Sequence, residues 1–469
     1  MRTIGNTPVD GEVRAVASGA LANGDTVVVN SDGTVSVVDG ASVSPAVGSP
    51  VVGANEVVNE VVATYDSTNG KVIMAYRKGS NNYLAAVVGT VSGTSTSFGS
   101  ISSTAYYAEV QAITYDSTNE KVVIFYKNGS NHLYAALGTV SGTSISLSTG
   151  TAVNTSTTYA VSAAFDANAS KVVVAYRDGG NSSYGTARVG TVSGSSISFG
   201  SEVVFESSTT SQTAMAYDSA AQKIIIVYKD GSSNSQGKVG TISGTSISFG
   251  SATQATTDNA FYTSLVYDSG NNKVVYFYAA AAIVGTVSGT SISFGSKTNF
   301  NSSALYISAA YDPNAEVITV SYEDTANSEY GTFINGTVSG TSISFGSETV
   351  YETAAVRDTA TVFDSTNNVV VTLYKDEGNS GKGTAVVIQN AYTSTNLTSE
   401  NFIGFANGAA ADGTSAVVQT GCSINDAQSG LTAGQDYYVQ TDGTLSETPA
   451  DPSVFAGTAV SATKLIVKG

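Results

Sequence analysis

This sequence has almost no cysteine or histidine, the residues most used for cross-linking, thiolate metal sites and nucleophilic catalysis. Among its 469 residues there is one cysteine, Cys422, one histidine, His132, and no tryptophan. A single cysteine excludes a disulfide framework and a thiolate metal cluster. A Ser-His-Asp triad would depend on His132 alone, and this residue lies in a polar loop where we interpret it as a turn residue. We therefore expect no enzyme, no cofactor and no metal site.

Basic residues are also scarce. Lysine and arginine number 20 against 37 aspartates and glutamates, which gives a formal charge of −17. Phosphate recognition needs a basic surface, so nucleic acid is excluded as a partner, and the acidic surface serves solubility. No apolar run approaches the roughly 18 residues of a membrane span, so we expect no membrane insertion. Residues 1–6 lack the apolar core of a signal peptide. We therefore expect release by cell lysis or by a dedicated exporter.

What the sequence has in abundance is repetition. The stretch Gly285–Ser296, Gly-Thr-Val-Ser-Gly-Thr-Ser-Ile-Ser-Phe-Gly-Ser, has near-copies that begin at Gly89, Gly138, Gly190, Gly240 and Gly336. Ser288-Gly289 predicts a tight turn, and Ile292 and Phe294 lie two apart on one face of the returning strand. One such hairpin cannot bury its apolar face alone. The copies therefore predict a stack of equivalent units.

A second motif gives the number of units. Tyr65-Asp66-Ser67, followed by Lys71-Val72-Ile73 and Tyr76, recurs from Tyr115, Phe165, Tyr217, Tyr267, Tyr311 and Phe363. Each unit then contains four strands, which in the first are residues 61–65, 71–76, 84–91 and 95–98. Four strands in 40 to 50 residues are typical of a propeller blade. The fold class predicted is all-β, with a seven-bladed β-propeller of four-stranded blades.

The two ends of the chain resemble each other instead of the blades. Residues 21–36 align without a gap to 431–446, and Phe402-Ile403-Gly404 matches Phe455-Ala456-Gly457. This predicts a small duplicated β-barrel or sandwich-like domain, formed by residues 1–40 and 391–469, with the propeller of residues 41–390 inserted in it. The last repeat lacks its fourth strand, and residues 41–49 approximate the missing sequence. We therefore predict that 41–49 close the last blade.

Candidate functional residues follow from the two faces of such a ring. The turns between the first and second strands are uniform, and Asp66, Asp116 and Asp364 in them are interpreted as Asx-turn residues, with calcium binding as the alternative. The opposite face varies and carries aromatic and short polar residues, which suit ligand contact. The candidate ligand-binding residues there are Tyr106, Tyr107, Tyr159, Tyr262, Tyr306, Tyr351, Asp178, Asp230, Asp324 and Asp376.

Tyr76 and its six equivalents recur once per blade and are interpreted as structural. Glycosidases on propellers need a pair of carboxylates roughly 5–9 Å apart. Glu206, Glu352 and Asp358 lie on the varied face, but nothing in the sequence pairs them.

The repeat motifs Tyr-Asp-Ser-Thr-Asn-x-Lys-Val-Val-Ile-x-Tyr and Val-Gly-Thr-Val-Ser-Gly-Thr-Ser-Ile-Ser-Phe-Gly-Ser resemble those of virion structural proteins of tailed bacteriophages, particularly phages of marine bacteria and cyanobacteria. The C-terminal segment 430–469 is similar to the C-termini of phage fibre and appendage proteins. The resemblance implies a virion location, other virion proteins as partners of the terminal domain, and a displayed propeller that attaches to a host-surface glycan as a tail-fibre or spike component. A capsid decoration or head-fibre protein is the alternative, followed by an exported bacterial surface adhesin and a glycan-cleaving enzyme. The sequence leaves the oligomeric state open.

Overall fold

The computed structural model describes residues 11–450 and 452–468, and in this part of the chain the fold is all-β, which confirms the predicted class. Its two helical segments are single 3₁₀ turns, Thr325–Asn327 and Glu377–Asn379. None of the described helices is long and apolar enough to cross a membrane. The chain divides into two compact units, Pro45–Asn390 and the described parts of 1–44 and 391–469. The sequence placed the first boundary four residues earlier, at 40/41.

In the larger unit, seven repeats of one antiparallel pairing pattern form a β-propeller, and we name the strands of each blade a to d. Strand a is the second half of Val51–Asp66, Thr151–Asp166 and Thr349–Asp364, and the whole of Glu109–Asp116, Ser211–Asp218, Ser264–Asp268 and Ala304–Asp312. Strand b is Lys71–Lys78, Lys121–Lys127, Lys171–Asp178, Lys223–Lys229, Lys273–Tyr278, Val317–Asp324 and Val369–Asp376. Strand c is Tyr83–Ser92, His132–Ser141, Tyr184–Ser193, Ser235–Ser243, Ala281–Ser288, Tyr330–Ser339 and Lys382–Gln389.

Strand d is longer than the sequence predicted, because two successive segments pair with the same strand c. The first segment is the predicted hairpin strand, which is Ser95–Phe98, Ser144–Leu147, Ser196–Phe199, Ser246–Phe249, Ser291–Phe294 and Ser342–Phe345 in blades 1 to 6. The second segment is Ser102–Tyr107 in blade 1, Val203–Thr209 in blade 3, Thr253–Thr256 in blade 4 and Thr298–Asn299 in blade 5. In blades 2 and 6 it is the first half of the 16-residue strands Thr151–Asp166 and Thr349–Asp364. Tyr106 and Tyr107, two of the candidate residues, therefore lie in a strand.

The last blade is closed by residues from the start of the unit. Ala46–Val47 pairs with Ile388 and Gln389, and residues 51–57 pair with 382–385. The prediction that 41–49 supply this strand is wrong for its first residues: Gly40–Val43 pairs with Tyr392–Thr395 within the smaller unit. The error arose because residues 41–49 share a Ser/Val pattern with strand d, while the two-stranded ribbon at the ends of the insertion has no motif of its own.

The repeated glycines are required for two different structural reasons, a positive φ and a close approach between backbones. Gly289 has φ 61° and occupies the first central position of the hairpin turn, since Ser288 pairs with Ser291. Gly99, of the Phe-Gly-Ser sequence, lies against the next blade, where an added Cβ would overlap the carbonyl oxygen of Thr143. The same holds at Gly48 (against Thr94), Gly200 (Thr245), Gly250 (Thr290) and Gly295 (Thr341). These glycines allow the hairpin of each following blade to approach the backbone.

The predicted Asx turns and structural tyrosines are confirmed. Asp66 accepts hydrogen bonds from the backbone N–H groups of Thr68 (3.1 Å) and Asn69 (3.0 Å), and Asp116 and Asp364 do the same in their blades. The tyrosine at the end of each strand b is buried, and six of the seven place their hydroxyl against a carboxylate: Tyr76 on Glu56, Tyr176 on Glu202, Tyr228 on Glu206, Tyr278 on Asp258, Tyr322 on Glu348 and Tyr374 on Glu352.

The smaller unit contains two five-stranded sheets with one strand order. The first runs Glu12–Val16, Ser415–Gln419, Phe402–Ala406, Thr26–Val29, Val35–Val37, and the second runs Ile424–Asn425, Lys464–Val467, Val454–Ser461, Asp436–Val439, Leu445–Ser446. The aligned strands occupy equivalent positions in the two sheets: Thr26–Val29 corresponds to Asp436–Val439, Val35–Val37 to Leu445–Ser446, and Phe402–Ala406 to Val454–Ser461. The matched glycines Gly404 and Gly457 both have positive φ, 144° and 151°. Val28 and Phe405 of the first sheet pack in one core with Tyr437 and Val439 of the second.

Candidate functional site

All seven a strands of the propeller line one central cavity of about 350 Å³. The lining begins with residues 61–63 in blade 1 and ends with 359–361 in blade 7, and its described residues are uncharged. At one end of the cavity the a strands begin and the loops between strands b and c are found. We call this end the loop face. It corresponds to the varied face of the sequence analysis.

A bulge begins strand a at the loop face. Five residues before the repeat aromatic, the backbone has φ between 48° and 54° in six blades, at Glu60, Ala160, Gln212, Tyr262, Tyr306 and Asp358. Non-glycine residues rarely adopt positive φ, and a bulge redirects a side chain out of the regular sheet alternation. The six positions are equivalent, and they carry five residue types, so the ring presents different side-chain chemistry on one backbone scaffold.

Exposed aromatic rings are confined to this face. In residues 11–450 and 452–468, the most exposed aromatic side chains are Tyr107, Tyr159, Phe261 and Tyr262, at 39%, 41%, 42% and 37%. Two of them contact basic groups: the Arg177 guanidinium lies 4.9 Å from the Tyr159 ring centroid, and Lys229 Nζ lies 4.3 Å from that of Phe261. Tyr262 packs on Tyr306 with centroids 4.9 Å apart. Flat apolar surfaces are thus held next to polar groups in solvent.

Basic side chains recur at one position that the sequence analysis missed. The residue after the buried tyrosine of strand b is Arg77, Lys127, Arg177, Lys229 and Lys375 in blades 1, 2, 3, 4 and 7, five of the 20 basic residues of the chain. Three of them are neutralised, by Glu60 at 2.7 Å, Glu109 at 2.6 Å and Glu377 at 3.0 Å. The signal was present as Tyr-Arg or Tyr-Lys in the repeat, but its place beside the bulge becomes visible only in three dimensions.

The candidate tyrosines fall into two groups. Tyr107, Tyr159, Tyr262 and Tyr306 lie at the loop face, with at least part of each ring in solvent. Tyr106 stacks on Tyr126 at 5.2 Å and donates a hydrogen bond to the Ser148 carbonyl. Tyr351 is 6% exposed and packs on Tyr374. Packing between strands accounts for these last two residues.

The four candidate aspartates are engaged in their own loops. Asp178 accepts a hydrogen bond from Gly180 N–H and Asp230 accepts from Ser232 N–H, both at 2.9 Å. Asp324 and Asp376 cap the two 3₁₀ turns by accepting from Ala326 N–H and Asn379 N–H. These carboxylates shape the loops between strands b and c, so the surface available for ligand contact is that of the aromatic and basic residues beside them.

The carboxylates considered for glycoside cleavage have separate structural partners. Glu206 accepts a hydrogen bond from Tyr228 at 2.8 Å and Glu352 from Tyr374 at 3.1 Å, and each bond joins strand d of one blade to strand b of the next. Asp358 accepts from the backbone N–H of Glu60 at 2.7 Å, which joins blade 7 to blade 1. Among the described residues no group of three His, Cys, Asp or Glu side chains converges in a way that could hold a metal ion.

Glu323, in the position after Tyr322 of blade 6, is a buried carboxylate at this face. It is 2% exposed, and its Oε2 atom is buried without a hydrogen-bond partner in the described structure. Burial raises the pKa of Glu323 from 4.5 to about 7, Arg357 opposes this increase, and Glu329 and Glu377 add to it. Because the folded state holds this proton more tightly than the unfolded state, stability falls as pH rises from about 4.5 to 7.

We expect Glu323→Gln to remove this pH dependence. At pH 8 the variant should be more stable than the parent by up to about 3 kcal/mol, since a pKa near 7 instead of 4.5 costs that much once the group ionises, and the two should coincide at pH 4. Urea unfolding from pH 4 to 8 measures the difference. Glu316→Gln, which changes an exposed carboxylate of the same blade, is the control. A constant difference between Glu323→Gln and the parent across this range would contradict the assignment.

No protein-family model and no curated protein sequence matches the chain. Two solved structures illustrate its similarity in fold. The SapL1 lectin, solved in complex with alpha methyl fucoside, has a TM-score of 0.39 and 12% identity, over 64% of this chain and 98% of that one. The Cps50 (Swd1) β-propeller domain of Myceliophteria thermophila has a TM-score of 0.45 and 7% identity, over 72% and 98%. Neither similarity bears on what this protein binds.

Proposed function

We propose that this protein is a non-enzymatic virion appendage whose propeller binds a host-surface glycan at the loop face. The observation that carries the binding proposal is the confinement of exposed aromatic rings to that face, next to arginine and lysine. An aromatic face packs against the C–H side of a sugar ring, while side chains around it bond the hydroxyls. The repeat resemblance to phage structural proteins supports the virion location.

Single contacts of this kind are weak, about 1 kcal/mol each. A useful attachment therefore requires many copies on one particle, because the high effective concentration of the second and later sites compensates for the low affinity of each single site. The smaller unit, with its two matching sheets, is the part that we assign to attachment to other virion proteins. On this proposal the propeller faces the host surface.

Substitution of three loop-face tyrosines should strongly weaken glycan binding. We expect Tyr107→Ala, Tyr262→Ala and Tyr306→Ala together to reduce binding at least tenfold, because the flat faces for sugar contact are lost. Alanine is tolerated at the positive φ of residues 262 and 306, since Ala160 has φ 48° at the equivalent position. The measurement is binding of the biotinylated chain, displayed as a tetramer on streptavidin, to a printed array of bacterial surface glycans.

The matched control changes the opposite end of the ring. Ser67, Ser117 and Ser219 are exposed in the turns between strands a and b, and their replacement by alanine should leave array binding unchanged. Equal binding by the two triple variants would contradict the proposal. An absence of array binding by the parent chain would favour the capsid-decoration alternative.

A further inference from the structure

A pocket at the loop face surrounds Arg177. It has a volume of about 370 Å³ and draws its lining from blades 2 to 5, including Gln111, Tyr159, Ala160, Arg177 and Gln212. This volume is at the lower end of the range for small-molecule sites. It holds an arginine, one exposed aromatic ring and two amides, which together offer an ionic contact, an apolar platform and hydrogen-bonding groups.

Arg177 is the unusual member of this set. Its Nε atom is buried and has no hydrogen-bond partner, and in the described part of the chain no carboxylate pairs with its guanidinium. Its contact is with the Tyr159 ring at 4.9 Å. Buried N–H groups almost always have an acceptor, and an arginine left without one carries a desolvation cost. The guanidinium therefore lacks an acceptor within the described chain, and an acceptor supplied by a ligand would offset this cost.

Blade 1 shows what this acceptor is. Arg77 follows Tyr76 as Arg177 follows Tyr176, and Glu60 binds Arg77 through Nε at 3.0 Å and Nη2 at 2.7 Å. The residue equivalent to Glu60 in blade 3 is Ala160. Both stand at the bulge, with φ 54° and 48°. Blade 3 thus keeps the arginine and the backbone of blade 1 and lacks the carboxylate.

We propose that a ligand carboxylate takes the place of the missing Glu side chain at Arg177, and that the pocket binds an acidic sugar of the uronic-acid type. This rests on the proposed glycan-binding function. The planar guanidinium fork matches a carboxylate in two parallel hydrogen bonds, with a fit that a neutral hydroxyl cannot reproduce. Gln111 donates through Nε2 to the Val110 carbonyl at 3.0 Å, which leaves its Oε1 as an acceptor for a sugar hydroxyl.

The test titrates the full chain with sodium D-glucuronate, D-glucose and sodium acetate, by saturation-transfer NMR and calorimetry. We expect millimolar binding of glucuronate and at least tenfold weaker binding of glucose and acetate. Arg177→Gln and Ala160→Glu should each weaken glucuronate binding at least tenfold. Ala160→Glu rebuilds the blade 1 pair inside blade 3, so its thermal midpoint should equal or exceed that of the parent. Lys171→Gln, which removes a charge from the other end of the same strand, should bind glucuronate as the parent does.

Each other outcome overturns the proposal. If acetate binds as tightly as glucuronate, the site is an anion site without sugar specificity. If glucose binds as tightly as glucuronate, or the two blade 3 variants bind normally, the carboxylate assignment fails while the proposed glycan function stands. If the chain binds no saccharide here and none on the array, both proposals fall.

Discussion

Replacing Ala54 by aspartate is expected to open the propeller between its last and first blades. Ala54 lies in the closing strand opposite Gly383, is fully buried, and packs in one core with Met74 of blade 1 and Leu373 of blade 7. An unpaired charge in such a core cannot be solvated without separating the strands. We expect the free energy of unfolding to fall by about 3–5 kcal/mol, the range for an uncompensated buried charge.

The neighbouring residue supplies the control. Asn55 belongs to the same strand and is exposed, so Asn55→Asp adds the same charge one residue away and should change stability by less than about 0.5 kcal/mol. Hydrogen exchange should show that Ala54→Asp loses protection in the closing strand and in residues 382–389, with the central blades retaining theirs. Equal stability of the two variants would mean that this strand does not hold the ring closed.

Gly99→Ala is expected to separate blade 1 from blade 2. The added methyl would overlap the Thr143 carbonyl oxygen, which belongs to the backbone of a tight turn and cannot rotate away. Relief requires movement of the whole hairpin, so we expect a loss of about 2–3 kcal/mol, at the upper end for overpacking. Chemical unfolding monitored by tyrosine fluorescence measures it.

Gly346→Ala is the matched control for this substitution. Gly346 occupies the same place in the Phe-Gly-Ser sequence of blade 6. The next blade, blade 7, has no hairpin between strands c and d, so the nearest atom to an added Cβ is Asn335 O at 3.8 Å. The substitution should therefore be tolerated. If Gly99→Ala and Gly346→Ala destabilise equally, the cost arises within a blade and the proposed contact between blades is not its cause.

The propeller class was predictable because the same local sequence signals recur in the seven repeats. The turn glycines, the Asx aspartates and the alternating residues of each hairpin all indicate the same short strands. The second segment of strand d was not predictable, since residues such as Ser102–Tyr107 vary between repeats and share no motif. The sequence assigned residues 41–43 to the propeller because residues 41–49 share a Ser/Val pattern with strand d, although Gly40–Val43 pairs with Tyr392–Thr395.

The candidate site was predictable only in part. Aromatic residues on the varied face could be identified from their departure from the repeat, which gave Tyr107, Tyr159 and Tyr262. Whether a given aspartate or tyrosine is free to contact a ligand depends on the hydrogen bonds and packing contacts that it makes within the folded chain. Asp324 is engaged in its 3₁₀ cap and Tyr351 packs against Tyr374. The significance of Arg177 lies in the comparison of Ala160 with Glu60, and this equivalence requires the shared bulge conformation.

The closing strand also sets the order of events during synthesis. Val57 pairs with Lys382, so the strand that pairs with residues 51–57 emerges from the ribosome some 320 residues after them. At about 5–20 residues per second this is a delay of roughly 15 to 65 s. Throughout that interval residues 46–57 present an unpaired strand edge to solvent, while later blades assemble against one another. The nascent chain is therefore most exposed to misassociation with other copies before blade 7 is complete, and its yield should depend on translation speed and on chaperone supply.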